Sequence, residues 1–191
     1  MQHRVRYFRL SESVQAGNWY LGDPFDGQGQ ELEDIWEFTE GRPVQTEGRL
    51  TLPIIEPGRR LDFNTAGAGV TPIVHVRVAS MFAELAPDDV QLIPVDIKGY
   101  PEQYVMLVAT KLVRCIDDKA SKEVQYWMPE DERPEKVGHF RGVIDMRIDH
   151  AKVGAAKVFR TWGWSVALIV SEDIKVALEG AKVTGAKFEE V

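Results

Sequence analysis

Two stretches of this 191-residue chain lie over one another without a gap at an offset of 96 residues. They are Ile73 to Val95, IVHVRVASMFAELAPDDVQLIPV, and Ile169 to Val191, IVSEDIKVALEGAKVTGAKFEEV. The pairs Ile73/Ile169, Val74/Val170, Val78/Ile174, Phe82/Leu178, Leu92/Phe188 and Val95/Val191 are all apolar. Each copy reads as the end of a strand, a helix with apolar residues at i, i+4 and i+8, a turn, and a second strand. The turns are Pro87-Asp88-Asp89 and Thr184-Gly185, and Ser171 stands where a hydroxyl would cap the second helix. The echo thus predicts an α+β fold: a mixed α/β core with two strand-helix-strand units, and Phe82 and Leu178 both buried. Whether it marks a duplication or two uses of one local solution stays open.

The rest of the chain reads less regularly. From Met1 to about Val70 it is rich in Gly, Pro and turn residues, with short candidate strands at Arg4 to Leu10 and Leu50 to Ile55. We expect residues 1–70 to form a β-rich, irregular N-terminal region on an α/β core of residues 71–191, the two making one compact unit. Val90 to Lys98 and Tyr104 to Ile116 flank Gly99-Tyr100-Pro101-Glu102 and suggest a β-hairpin. Tyr104 to Ile116 also fits a helical spacing, but its Tyr, Val and Thr content and the nearby turn favour a strand. Val143 to Asp149 alternates, with Asp145, Arg147 and Asp149 on one face and Ile144, Met146 and Ile148 on the other, the pattern of a half-buried strand.

The formal net charge of −7 is localised. Asp23 to Glu40, DPFDGQGQELEDIWEFTE, holds Asp23, Asp26, Glu31, Glu33, Asp34, Glu37 and Glu40 and no lysine or arginine. Those 7 acids account for the whole imbalance, since the other 23 acidic residues match 23 basic ones. A neutral body with one acidic segment argues against direct nucleic-acid binding, which needs a concentrated basic face. It favours a basic protein partner. No charged start followed by an apolar run opens the sequence, and no apolar segment is long enough to span a bilayer. The single cysteine allows no internal disulfide, so a cytoplasmic protein with no membrane partner is expected.

The candidate chemical sites are weak. Arg114 to Glu123, RCIDDKASKE, gathers a cysteine, two aspartates, lysines and a serine. On the strand reading Cys115 faces inward with Val113 as a small apolar residue, and no histidine stands in a recognisable catalytic motif with it. Asp117 and Asp118 face opposite ways on an extended chain, so the segment reads as a charged turn leaving the sheet. His3, His75, His139 and His150 show no metal-ligand spacing, and His139 and His150 read as surface histidines. TAGAGV, Thr65 to Val70, is followed by Pro72 and β-branched residues and reads as a connector, not a phosphate cradle. Trp162-Gly163-Trp164 lacks the basic surroundings of a base-stacking platform and reads as core or interface packing. No residue is assigned as catalytic, cofactor-binding or metal-binding, and no cofactor is expected.

The C-terminal run Val158 to Val191 carries a strand with Phe159, the helix start Ile169-Val170-Ser171-Glu172, and Gly185 with Phe188 near its end. With VQLIPVDI (Val90 to Ile97), VRCIDDKAS (Val113 to Ser121) and the portion Asn18 to Val44, this pattern resembles immunity protein family eleven of bacterial polymorphic toxin systems, formerly a domain of unknown function. The resemblance covers nearly the whole chain, and its motifs are structural. It implies a small cytoplasmic protein that binds and neutralises a cognate toxin, a nuclease being one such toxin class. The alternatives from other classes are an enzyme acting on a small molecule or on the toxin, and an unrelated regulatory binding module. For an inhibitor, Asp23 to Glu40 supplies a mechanism, because an acidic surface bearing Phe25, Trp36 and Phe38 can fill a basic cleft. The toxin-binding residues expected are Asp23, Asp26, Glu31, Glu33, Asp34, Trp36, Glu37 and Glu40. A solvated loop with Trp36 and Phe38 anchored in the protein's own core is the competing reading.

Overall fold

Both echoed stretches fold as strand, helix and strand, in a computed structural model that describes residues 4–191. The first runs β6 (Thr71–His75), α1 (Val76–Leu85), β7 (Val90–Ile97); the second runs β13 (Trp164–Ser171), α2 (Glu172–Gly180), β14 (Ala186–Glu190). Before each stands the partner of a hairpin, β5 (Phe63–Ala66) and β12 (Val158–Thr161). In each sheet an antiparallel strand separates the two parallel ones: β8 (Tyr100–Ala109) in the first and β1 (Tyr7–Glu12) in the second. The orders β7-β8-β6-β5 and β14-β1-β13-β12 are therefore the same. The register agrees residue by residue: Leu92 faces Leu107 as Phe188 faces Leu10, and His75 faces Tyr104 as Ser171 faces Tyr7. One unit is thus built twice, the second copy taking its central strand from the N-terminal end of the chain. Each sheet gains a fifth strand in parallel, β3 (Leu50–Leu52) beside β7 and β9 (Leu112–Val113) beside β12.

Alternation along the strands assigns the faces. Val74, Leu107 and Ala109 of the first sheet and Phe8, Leu10, Leu168 and Val170 of the second join Val78, Phe82, Ile174 and Leu178 in one buried cluster. Both helices, each apolar at i and i+4, thus lie between the sheets. The opposite face of the first sheet, with Ile73, Val95, Met106 and Val108, is covered by Trp19, Phe38, Val44 and Leu61 of the N-terminal region. The opposite face of the second, with Tyr7, Phe159 and Ile169, is covered by Cys115, Met146, Ile148 and Val153. The loop after each helix grips the other unit. Buried Asp89 accepts from Lys157 N (2.7 Å) and Val158 N (3.2 Å), while Thr184 O accepts from Phe63 N (2.9 Å). No helix among the described residues is long and apolar enough to cross a membrane.

Several local expectations change. Leu50 to Ile55 is split at Pro53 into β3 and β4 (Ile54–Glu56), the latter pairing with β2 (Tyr20–Leu21), because proline has no N–H to extend a ladder. The N-terminal strand begins at Tyr7, not Arg4. The β7–β8 turn is only Lys98-Gly99, with Gly99 at φ 90°, so Tyr100 already belongs to β8. Tyr104 to Ile116 is not one strand: pairing stops at Ala109 and resumes in β9. Val143 to Asp149 is not a strand either. β10 (Glu123–Tyr126) pairs with β11 (Phe140–Ile144), and Asp145 then turns the chain at φ 45°. Met146 and Ile148 are buried as the alternation asks, but Ile144 is 48% exposed. Ser171 occupies the cap position of α2, yet its hydroxyl donates to the Asp173 carboxylate, which itself accepts from Ile174 N. At the equivalent place on α1, His75 Nδ1 accepts from Arg77 N at 3.1 Å.

Phe82 and Leu178 have no exposed surface. Leu178→Ala should cost about 2–5 kcal/mol in urea unfolding, as large-to-small core changes do. Val176→Ala, on the same helix at 59% exposure, should stay within about 0.5 kcal/mol of wild type. Equal losses would contradict this facing of α2.

Candidate functional site

The acidic segment folds on its own carboxylates. Asp26 Oδ1 accepts from Gln28 N (2.8 Å) and Gln30 N (2.9 Å), Asp34 Oδ1 from Trp36 N (2.8 Å), and Asp23 Oδ1 from Ala68 N (3.3 Å). Short polar side chains that bond the backbone two residues on hold such turns without a sheet. One 3-10 turn, Glu37–Thr39, then drops Phe38 into the core, where it is 1% exposed. The two aromatics divide: Phe38 is an anchor, whereas Trp36 remains 46% exposed. Asp23, Glu31, Glu33, Asp34 and Glu40 are exposed, and Asp26 and Glu37 are half-buried beside a small cleft of about 260 Å³. Burial, then the like charge of Asp34, push the Glu37 carboxyl above its ordinary range, against the pull of Arg42. Of the seven acids, only Glu40 forms an ion pair among the described residues, with Arg42 at 2.6 Å.

Beside this segment lies a groove of about 810 Å³ that sequence reasoning did not find. One wall is Asp34, Trp36 and Glu40; the other is the arm made by β10, β11 and the loop between them, with Trp127, Arg133, Lys136 and Arg141; the floor is Leu112, the β12–β13 turn Trp162-Gly163, and Trp164 at the start of β13. Four of the chain's five tryptophans line it. Two glycines let the walls close on the floor. At Gly41 (φ +70°) a Cβ would fall 2.7 Å from Leu112 Cβ, and at Gly163 (φ +80°) one would fall 3.1 Å from the Phe140 ring. Phe140 N also donates to Gly163 O at 3.0 Å. Cations stack on the rings: Lys136 and Arg141 lie 5.0 and 5.2 Å from the Trp127 centroid, and Arg114 lies 4.1 Å from that of Trp162.

Beneath the floor sits Arg160, fully buried. Its guanidinium donates to the carbonyls of Ser165 (3.3 Å), Val166 (3.2 Å) and, across the sheets, Val70 (2.9 Å), while Nε has no partner among the described residues. Burial, then repulsion from Arg9, bring its pKa down to about 9. The carbonyl dipoles hold the charge, and the charge ties the β12–β13 hairpin to the β5–β6 turn.

The other candidates come apart. TAGAGV is the end of β5 and its hairpin turn, with Gly67, Ala68 and Gly69 at positive φ, as a connector requires. Asp117 Oδ1 accepts from Lys119 N and Ala120 N, closing the charged turn, and Asp118 Oδ2 accepts from the Tyr126 hydroxyl. His139 and His150 are half-buried ring partners, not surface histidines: His139 lies edge-on to Trp162 at 4.9 Å and His150 edge-on to Tyr7 at 5.1 Å. His3 falls outside the described residues. Among those residues no three of His, Cys, Asp and Glu are placed to hold a metal ion. Cys115 is completely buried, and desolvation, then Asp149, push its thiol up to about 12 against the weaker pull of Lys152. The thiolate is the reactive form. At pH 8 Cys115 should therefore resist a thiol-specific disulfide reagent in the native protein and react promptly in denaturant; equal rates in both would contradict this burial.

No curated relative matches the chain. Residues 62–191 match the immunity protein family Imm11. The matched part contains both helices, the arm and the groove floor, while β1 and the acidic wall precede it. The match covers well over half of the sequence, so this chain belongs to the Imm11 family of immunity proteins, and with that membership comes a toxin-neutralising role.

Proposed function

We propose that the chain acts in the cytoplasm as a stoichiometric inhibitor that covers the working surface of its cognate toxin and performs no chemistry of its own. The toxin-facing surface in this reading is Asp23 to Glu40, with Asp23, Asp26, Glu31, Glu33, Asp34, Glu37 and Glu40 supplying charge and Trp36 supplying contact. One observation supports it above others: six of those seven carboxylates form no ion pair among the described residues, although ion pairs are frequent elsewhere on the surface. Uncompensated charge of one sign on a neutral body is a steering device, and its complement is a basic cleft. A nuclease must offer such a cleft to phosphates, so a nuclease toxin fits best.

Neutralising the segment tests this without emptying it. The quadruple variant Glu31→Gln, Glu33→Gln, Asp34→Asn and Glu37→Gln keeps the Asp34 acceptor oxygen that holds Trp36 N. Against its cognate toxin domain, its association rate at low salt should fall about tenfold or more. The two rates should converge near 1 M salt, where the Debye length is about 3 Å. Association as fast as wild type at low salt would place the inhibitory face elsewhere.

A further inference from the structure

We propose that the tryptophan groove is the anchor site of the complex and receives an apolar or aromatic side chain carried on a basic segment of the toxin. This inference rests on the toxin-neutralising reading and adds to it a second surface, built by the arm and the floor.

The arm is poorly explained as part of the core. Of residues 123–144 only Phe140 is buried. A two-stranded ribbon is marginal by itself in water, and this one is held to the floor through Phe140 and His139. Among the side chains it presents outward are four large apolar ones: Tyr126, Met128, Val137 and Ile144 are 38 to 52% exposed. With Trp36 and Leu112 in the groove, these make six of the eleven large apolar residues left exposed among the described ones. Of these, Trp36 and Leu112 line the groove itself, and Trp and Arg are the residues that most often carry interface energy. A groove of about 810 Å³ has room for more than one side chain.

The charges choose the occupant. The arm's guanidiniums are neutralised within the arm, Arg133 by Glu135 at 2.7 Å and Arg141 by Asp131 at 2.9 Å, and Lys136 rests on Trp127. On the facing wall Asp34 has no ion pair, and the unpaired acids of the same segment continue beyond it. Lys136 and Arg114, stacked on Trp127 and Trp162, also have no ion pair among the described residues and offset Asp34. The excess sign is thus set by the unpaired Glu31 and Glu33 beyond it, whose complement is a segment with an apolar anchor flanked by lysine or arginine. In such a complex the acids govern encounter and the tryptophan groove governs escape.

The test uses Trp36→Ala and Leu112→Glu in the 191-residue chain, with its cognate toxin domain as the probe. Both positions are nearly half exposed, and if Leu112→Glu fails to fold, Trp36→Ala carries the test. Each should speed dissociation about tenfold or more while changing association less than about threefold. In the wild-type complex, acrylamide quenching of tryptophan fluorescence should drop relative to the free chain. Unchanged dissociation with unchanged quenching would overturn the groove and leave the acidic surface standing as the inhibitory face. Protection that appears on concentrating the chain without toxin would assign the groove to a second copy and overturn the proposal. Failure of the wild-type chain to bind the toxin at all would overturn the toxin reading itself, and the groove with it.

Discussion

The structure depends on a single layer in which α1 and α2 pack between two sheets, with Phe82 and Leu178 fully buried at equivalent places. Neither helix has a core of its own, and each sheet needs the pair to cover one face. An error in that layer would therefore release both sheets at once. Because the layer consumes only one face of each sheet, the chain must find cover for two more. The N-terminal region covers one and residues 113–156 cover the other. These coverings belong to different sheets, and they approach one another where β9, the β12–β13 turn and the acidic segment meet. The groove is the seam between two coverings, which is why it draws its lining from distant parts of the chain.

The repeated unit also shows where its copies part. By register Arg160, opposite Leu168, answers to Thr65, opposite Pro72, and both are buried donors. Thr65 carries no charge, and its hydroxyl donates to the Glu12 carboxylate at 2.8 Å. Arg160 instead places a cation in the interior without an acidic partner, a costly choice unless something must be held. It holds the floor of the groove, since its carbonyl partners include those of Ser165 and Val166, which line that floor. The helix starts diverge similarly. Arg77 pairs with Asp62 at 2.6 Å in the first unit, and Asp173 pairs with Lys157 at 2.7 Å in the second, the same bridge with its signs exchanged. The scaffold thus keeps its apolar positions and varies its polar ones.

The core was legible in the sequence because its rule is periodic. Apolar residues repeating at 2 and at 3.6 identified both helices and their flanking strands, and the offset of 96 residues tied them together. The identity of the central strands was not legible, since β1 pairs with β13 and β14, both more than 140 residues away, and nothing local announces that. Val143 to Asp149 misled because alternation describes which side chains are buried, not whether the backbone finds a partner. Phe38 and Trp36 are two residues apart with opposite fates, decided by one short turn. The groove left only a compositional trace, four tryptophans scattered over three segments, and a seam between loops has no period to betray it.

Amide hydrogen exchange of the full chain, alone and saturated with its cognate toxin domain, addresses the central claim that the seam is where the toxin sits. The account predicts slowed exchange in residues 34–41, 127–141 and 162–166 together, with the exposed sides of α1, α2 and β14 unchanged. Protection confined to α2 or β14, with the arm exchanging as fast in the complex as alone, would contradict it.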